Sequence, residues 1–310
     1  MKDVKDAAQE YIDKGWQVVP LAKGTKACVD ANWTNLIFQP EDFRAGDNLG
    51  IRSVNGLVDI DCDAAEVVAL AKYFLPSTGA TYGRQSKPAS HWLYKSDFDK
   101  IIVYKDQGAE ADKATLIEIR VKHQSMVPPS VHPNGEAIQW VGELGGAPDV
   151  DPTVLLRRVR LLATASLLVR YYNPPGNRHD WGIAIAGLFR GLGITEEEAF
   201  LVVDKTAEHV GDDDKKDRLT SVRSTYSRPD DEPIAGAKAL KDLLSHPERF
   251  LGSIRKIWGT SGGAFIVDDK DRIIADNQEN LRRAFKKLEV VLTYDKFIHK
   301  PIVDYDGKAQ

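Results

Sequence analysis

The sequence predicts an α+β domain followed by an all-α helical bundle. Three observations predict it. In the first half, short runs of alternating polar and apolar residues read as strands. A single strongly periodic helix, residues 64 to 74, separates two of these runs, with Pro76 to stop it. Beyond Gly145-Gly146-Ala147-Pro148 the period changes from strand-like to helical and stays so to about Leu244.

Taken in order, residues 3 to 14 have helical periodicity and give way to a strand over Trp16 to Leu21. Val58-Asp59-Ile60-Asp61 then alternates carboxylates with apolar residues, after Gly56-Leu57. Side chains alternate faces along a strand, so Asp59 and Asp61 share a face while Val58 and Ile60 enter a core. Two like charges at such neighbouring positions repel unless a hard divalent cation neutralises them. Mg²⁺ held by carboxylates and substrate phosphates fits that need. Asp63-Ala64-Ala65-Glu66, ahead of the apolar run Val67 to Leu70, reads as a capping box, with Asp63 the N-cap of the helix.

Gly83-Arg84-Gln85-Ser86-Lys87-Pro88 reads as a mobile basic loop, because Gly and Pro keep it out of regular structure. It feeds a strand over Ser90 to Tyr94 with His91 near its start. Arg84, Lys87 and His91 are donors of the kind that bind a polyphosphate; the alternative for His91 is a core histidine beside Trp92. In Leu116-Ile117-Glu118-Ile119-Arg120-Val121 only one face is charged, and an acid between two isoleucines is costly to bury unpaired. Glu118 therefore needs a cation, for which Arg120 is one source. Pro128-Pro129 and Pro133-Asn134-Gly135 bracket a rigid loop that would present Ser130 and His132.

A strand with Asp-x-Asp, a strand headed by histidine after a basic Gly-Arg loop, and a strand with a lone acid resemble, in order and spacing, the three motifs of the archaeo-eukaryotic primase superfamily. Specifically, the chain resembles the bifunctional DNA primase-polymerase (Prim-Pol) N-terminal domain of plasmids, phages and prophages. Gly15 to Leu21, Lys26, Trp33 and Asn48 to Ile51 resemble that domain's opening, and Val127 to Glu136 with Trp140 its close. The resemblance covers about the first 150 residues. It implies an RRM-like mixed sheet with an N-terminal αβ unit, a two-metal Mg²⁺ or Mn²⁺ site on Asp59, Asp61 and Glu118, and His91 at the triphosphate of an incoming nucleotide. Arg84, Ser86, Lys87, Ser90, Arg120, Ser130 and His132 complete the candidate nucleotide site. The second motif usually reads Ser-x-His; here Ala89 stands at the first position.

Composition narrows the alternatives. A net charge of −4 argues against wholesale coating of nucleic acid. The two cysteines, Cys28 and Cys62, lack CxxC spacing, so neither zinc nor a disulfide framework is expected and a reducing cytoplasm is the default. No run of 18 apolar residues occurs, so no membrane span is expected.

After the linker, Arg157, Arg158, Arg160 and Arg170 lie on a long apolar helix, and Gly176-Asn177-Arg178-His179 leads into a second with Ala186, Gly187 and Phe189. Thr195-Glu196-Glu197-Glu198 caps a third. The region resembles the helical domain that accompanies Prim-Pol modules, which implies template binding by these arginines with Arg178 and His179; the alternative is a solvated arginine face on a scaffold. Asp212 to Asp217 reads as a solvated loop. The expected organisation is thus a catalytic domain over 1–148, a helical domain over 153–248, and a linker with the start of a truncated helicase or ATPase region over 249–310. That last part rests on Gly262 to Val267, Asn280 to Arg282 and Leu292 to Phe297; no Walker A loop occurs.

The implied activity is metal-dependent nucleotidyl transfer that makes and extends primers on single-stranded DNA, from nucleoside triphosphates, in the cytoplasm of a bacterial or archaeal host during phage or plasmid replication. The alternatives are a catalytically idle template-binding module and a replication-initiator nuclease. The nuclease would need a His-x-His pair, which the sequence lacks.

Overall fold

Asp3 accepts the backbone N–H of Lys5 and so caps α1 (Val4–Asp13), whose buried Val4, Ala7, Ala8 and Tyr11 recur at helical spacing. The chain reverses at Gly15, at φ +79°, and enters β1 (Val18–Leu21). In this computed structural model, residues 3–172, 178–229, 232, 234–259, 291–295, 300–305 and 308–309 are described. β2 (Asn48–Arg52) is followed by β3 (Leu57–Cys62), α2 (Ala65–Phe74), β4 (Thr81–Arg84), β5 (Lys87–Lys95), β6 (Ile102–Lys105), the single turn α3 (Ala111–Ala114), β7 (Thr115–Arg120), β8 (Gln124–Val127) and β9 (Ile138–Trp140).

β1, β2 and β8 form a three-stranded antiparallel sheet. The other strands of this half form a six-stranded sheet in the order β6-β7-β3-β5-β4-β9, every pairing antiparallel. Four of them, in the order β7-β3-β5-β4, place the first strand of the unit centrally beside its last. That is the expected RRM-like half.

Val58, Ile60 and Cys62 are fully buried, and α2 buries Val67, Leu70, Ala71 and Phe74 as it packs on β3 and β5. The opposite face, with Tyr82 and Leu93, shares a core with Val19, Leu21, Leu49, Ile51 and Met126 of the small sheet. Asp59 and Asp61 therefore look into the space between the two sheets.

The segment 83–88 is not a loop. Arg84 pairs with Lys87 across a two-residue turn, and Gly83 and Pro88 lie within strands. A register shift between Tyr82 and Arg84, with Ala89 at φ +51°, accommodates them. At Gly83 a Cβ would press on the Lys87 carbonyl oxygen and stand 2.8 Å from the Ala89 nitrogen, both backbone atoms that cannot swing aside. Gly83→Ala is expected to lower stability by about 1–3 kcal/mol through overpacking. Thermal melts test this; an unchanged Tm would show that the hairpin is looser than its contacts imply.

The second half contributes α4 (Pro152–Arg170), α5 (Arg178–Gly191), α6 (Glu196–Val210), α7 (Lys215–Tyr226), α8 (Ala237–Leu243) and α9 (Pro247–Trp258). Thr195 and Glu198 make the expected capping box. Asp212 is not solvated as expected: it is buried and takes hydrogen bonds from Tyr172 and Arg218. Met1–Phe250 forms one compact unit and Leu251–Gln310 a second. Sequence character changes at Asp151, the N-cap of α4, yet α4 packs on α2 and β7 of the first half. The second unit contains an antiparallel sheet of β10 (Val291–Asp295), β11 (Lys300–Tyr305) and β12 (Lys308–Ala309). The stretches 262–267, 280–282 and 296–297 of the helicase-like reading lie outside the described residues. No helix among the described residues is long and apolar enough to cross a membrane.

Candidate active site

Because β3 lies between β5 and β7, the three sequence motifs become neighbours: Asp61 is opposite His91 on one side and Glu118 on the other. Asp63, just beyond the end of β3, adds a third carboxylate. One oxygen from each of Asp61, Asp63 and Glu118 lies within 4.8 Å of the other two, so this trio could hold a divalent cation.

This displaces the expected acidic pair by two residues. Asp59 stands apart from the trio and is fully buried. Its oxygens lie 3.0 and 3.2 Å from His91 Nδ1, Ser125 Oγ donates to it at 2.5 Å, and Tyr82 OH lies 3.4 Å away. A carboxylate so enclosed is satisfied by protein groups. Asp63, conversely, does not cap α2: Ala64 is the N-cap and no side chain serves it. Its carboxylate instead pairs with Lys87 Nζ at 3.1 Å.

Arg120 joins the acids, with one nitrogen 2.6 Å from Asp61 and Nε 3.0 Å from Glu118. So the salt bridge considered for Glu118 and its place in a metal-capable trio coexist. Burial, with the charges of Asp59 and Asp63, raises the Asp61 pKa against the pull of His91 and Arg120. A buried carboxyl group held partly against its charge is one that a cation would relieve. Burial would likewise raise Asp59, but His91 and Arg120 prevail and hold it below the ordinary carboxylate value.

His91 stacks on Tyr82, centroids 4.6 Å apart at 6°, and its Nε2 is 3.7 Å from Asp61. Burial lowers its pKa, whereas Asp59 and Asp61 raise it, and the net shift is upward. The His91–Asp59 pair therefore stabilises the fold most between the ordinary values of the two groups, 3.8 and 6.5. The contribution is lost as pH falls through the lowered Asp59 value or rises through the raised His91 value. In the metal-free protein, NMR titration of His91 is expected above 6.5 and to fall on Asp59→Asn. No change in that variant would show that the pair is not what holds the proton.

Beside His91 opens a cleft lined by Lys26, Gly83, Arg84, Ser90, His91, Arg120, Gln124, Met126, His132 and Ile138. Four basic residues besides His91 converge on it. Burial and the charge of Arg120 lower the Lys26 pKa, the mark of a cationic surrounding that an anion would neutralise. Arg84 is steadied by Glu136, 3.0 Å away, and Glu136 also accepts from Ser86 and Asn134.

Not all expected site residues face this cleft. Ser86 is held by Glu136 at the hairpin tip. Ser130 is buried and bonded to both the N–H and the carbonyl of Leu49, so it fastens its loop to β2 instead of presenting a hydroxyl. Lys87 faces a separate groove with Asp63, Glu66, Asp106 and Lys113. Sequence reasoning missed Asp63, Lys26 and Gln124 as site residues. Asp63 continues the same-face alternation of Asp59 and Asp61; Lys26 stands in the stretch that resembles the family's opening, with nothing there to assign it to the site, and Gln124 carries no local signal.

The basic face expected on α4 is largely consumed. Arg157 pairs with Glu198 of α6 at 2.5 Å, Arg160 donates to Tyr104 OH, and Arg170 binds Glu66 and Asp106. These arginines fasten α4 to its neighbours because their partners, remote in sequence, fold against it. Arg158 is half-buried. His179 pairs with Asp217 at 3.1 Å, and the side chain of Arg178 lies outside the described residues.

No curated protein matches the chain. The family described as bifunctional DNA primase/polymerase, N-terminal (Prim-Pol), matches residues 8–150, the span that carries both sheets, the carboxylate trio and the cationic cleft. Residues 8–150, a little under half of the chain, are therefore similar to the Prim-Pol N-terminal domain.

Proposed function

We propose that the chain is a DNA-dependent primase-polymerase that makes and extends primers on single-stranded template by metal-dependent nucleotidyl transfer. The observation that carries the reading is the adjacency of three mutually close carboxylates to a cleft lined by Lys26, Arg84, Arg120 and His132. Opposed charge of this kind suits a nucleoside triphosphate that enters with a divalent cation. Asp61, Asp63 and Glu118 would hold Mg²⁺ or Mn²⁺, which when bound activates the primer hydroxyl and offsets charge on the leaving pyrophosphate.

The protein's own contribution is positioning. Lys26, Arg84 and His132 would bind phosphate oxygens, and Arg120, fixed by Asp61 and Glu118, would set the distance between phosphate and carboxylates. His91, whose Nδ1 is held by Asp59, would turn its Nε2 to the triphosphate. The phage or plasmid setting and a cytoplasmic site of action follow from the family resemblance.

The test is incorporation of labelled nucleotides by the purified chain on primed and unprimed single-stranded DNA with Mg²⁺ or Mn²⁺. Extension of the primed template, dependent on added metal, is expected. DNA binding with no incorporation would favour an idle accessory module, and strand cleavage a nuclease. Arg84→Ala and Lys26→Ala are expected to raise the nucleotide KM by about 10- to 100-fold, the value of a charge-assisted hydrogen bond. An unchanged KM in both would place the triphosphate elsewhere.

A further inference from the structure

The cleft holds polar atoms that the fold leaves without partners. Ser90 is 1% exposed and its Oγ meets no hydrogen-bonding group among the described residues; the same is true of Gln124 Oε1. Both residues line the cleft beside His91. A buried polar atom without a partner is costly, so two in one pocket mark places where a ligand completes the bonding.

The chemistry of Gln124 is the more restrictive. Its Nε2 donates to the carbonyl of Lys26 at 3.0 Å, which fixes which end of the amide is nitrogen and leaves the oxygen as the free end. Gly50 makes room for this arrangement: a Cβ there would stand 2.8 Å from Oε1. The neighbouring charged groups of the cleft, Lys26, Arg84 and Arg120, are donors suited to phosphate. Gln124 Oε1 is an acceptor, which phosphate oxygens would repel.

In a nucleoside triphosphate the donors are base N–H groups and sugar hydroxyls. Base donors vary among the four bases and are engaged by the template during copying, so a fixed acceptor cannot depend on them. The sugar hydroxyls are common to all. We infer that Gln124 is a specificity-determining residue that reads a sugar hydroxyl of the incoming nucleotide. The inference rests on the assignment of the cleft to that nucleotide.

The test uses the full chain with a dideoxy-terminated primer on template, Mg²⁺, and ATP, dATP or ddATP opposite thymine, with dissociation constants measured for each. Wild type is expected to separate at least one adjacent pair by about 3- to 10-fold, the value of a neutral hydrogen bond. ATP against dATP reports the 2′ hydroxyl, and dATP against ddATP the 3′ hydroxyl. Gln124→Met, of similar size but without the acceptor, should abolish the difference. Gln124→Glu keeps an acceptor, so it should preserve the difference while weakening all three triphosphates through its charge. The inference is overturned if Gln124→Met retains the wild-type ranking, if it weakens ddATP as much as the other two, or if wild type binds all three equally. Failure of the cleft assignment looks different: Arg84→Ala and Lys26→Ala would then leave all three constants unchanged.

Discussion

Asp61→Asn is expected to reduce nucleotide incorporation by at least about 10²- to 10³-fold, the scale seen when a preorganised electrostatic group is removed from a reacting centre. Of the three clustered acids it is the most enclosed and lies between His91 and Glu118. The fold should not suffer. The pKa of Asp61 is raised, so its ionisation at neutral pH works against the folded state, and an uncharged isostere removes that penalty. The metal-free variant should melt at or above the wild-type temperature, yet bind Mn²⁺ at least about tenfold more weakly by calorimetry, since the cation loses a charged oxygen ligand.

The more discriminating comparison is Asp63→Asn against Asp59→Asn. The first should behave like Asp61→Asn. The second should leave Mn²⁺ affinity nearly unchanged, lower the His91 pKa and reduce stability, because Asp59 is bonded to His91 and Ser125 and stands outside the trio. If Asp59→Asn abolished metal binding and Asp63→Asn did not, the acidic pair would be Asp59 and Asp61 after all.

That ambiguity shows what the sequence could and could not convey. Alternation places Asp59 and Asp61 on one side of β3, and the family resemblance groups the strands of His91 and Glu118 with it; Asp63 continues the same period but fits a helix cap equally well. Period alone cannot say which two of three same-face acids join Glu118. The answer depends on Ser125 of β8, His91 of β5 and Tyr82 of β4, which close over Asp59 from three other strands. Gly83 and Pro88 misled for a related reason. Both are breakers in isolation, but a register shift and one residue of positive φ let a tight hairpin absorb them. The helices of the second half were plain from periodicity and the Thr195 capping box. What their arginines do was not, because Glu66, Tyr104, Asp106 and Glu198 are brought to them only by folding.

Arg170 separates the two meanings of those arginines. It lies in the last turn of α4, binds Glu66 of α2 and Asp106 after β6, and donates to the Lys113 carbonyl at 3.0 Å. Asp106 is 4% exposed and also takes a hydrogen bond from Tyr171. Arg170→Met would leave two largely enclosed carboxylates without their cation, a loss of about 2–4 kcal/mol and a fall in Tm of roughly 5–12 °C for a unit of this size. Removing those charges as well, in Arg170→Met with Glu66→Gln and Asp106→Asn, should restore most of the stability, because the penalty is the uncompensated charge and not the missing guanidinium. A template-binding arginine predicts the reverse pattern: unchanged Tm, weaker DNA binding, a shallower salt dependence and no rescue by the neutralised acids. The same contacts bear on the first half taken alone. A fragment ending near residue 150 would lose Arg170 together with the buried Leu155, Val159 and Leu162 of the helix that packs on α2. Loss of primer synthesis by such a fragment would therefore report lost stability before it reported a lost template contact.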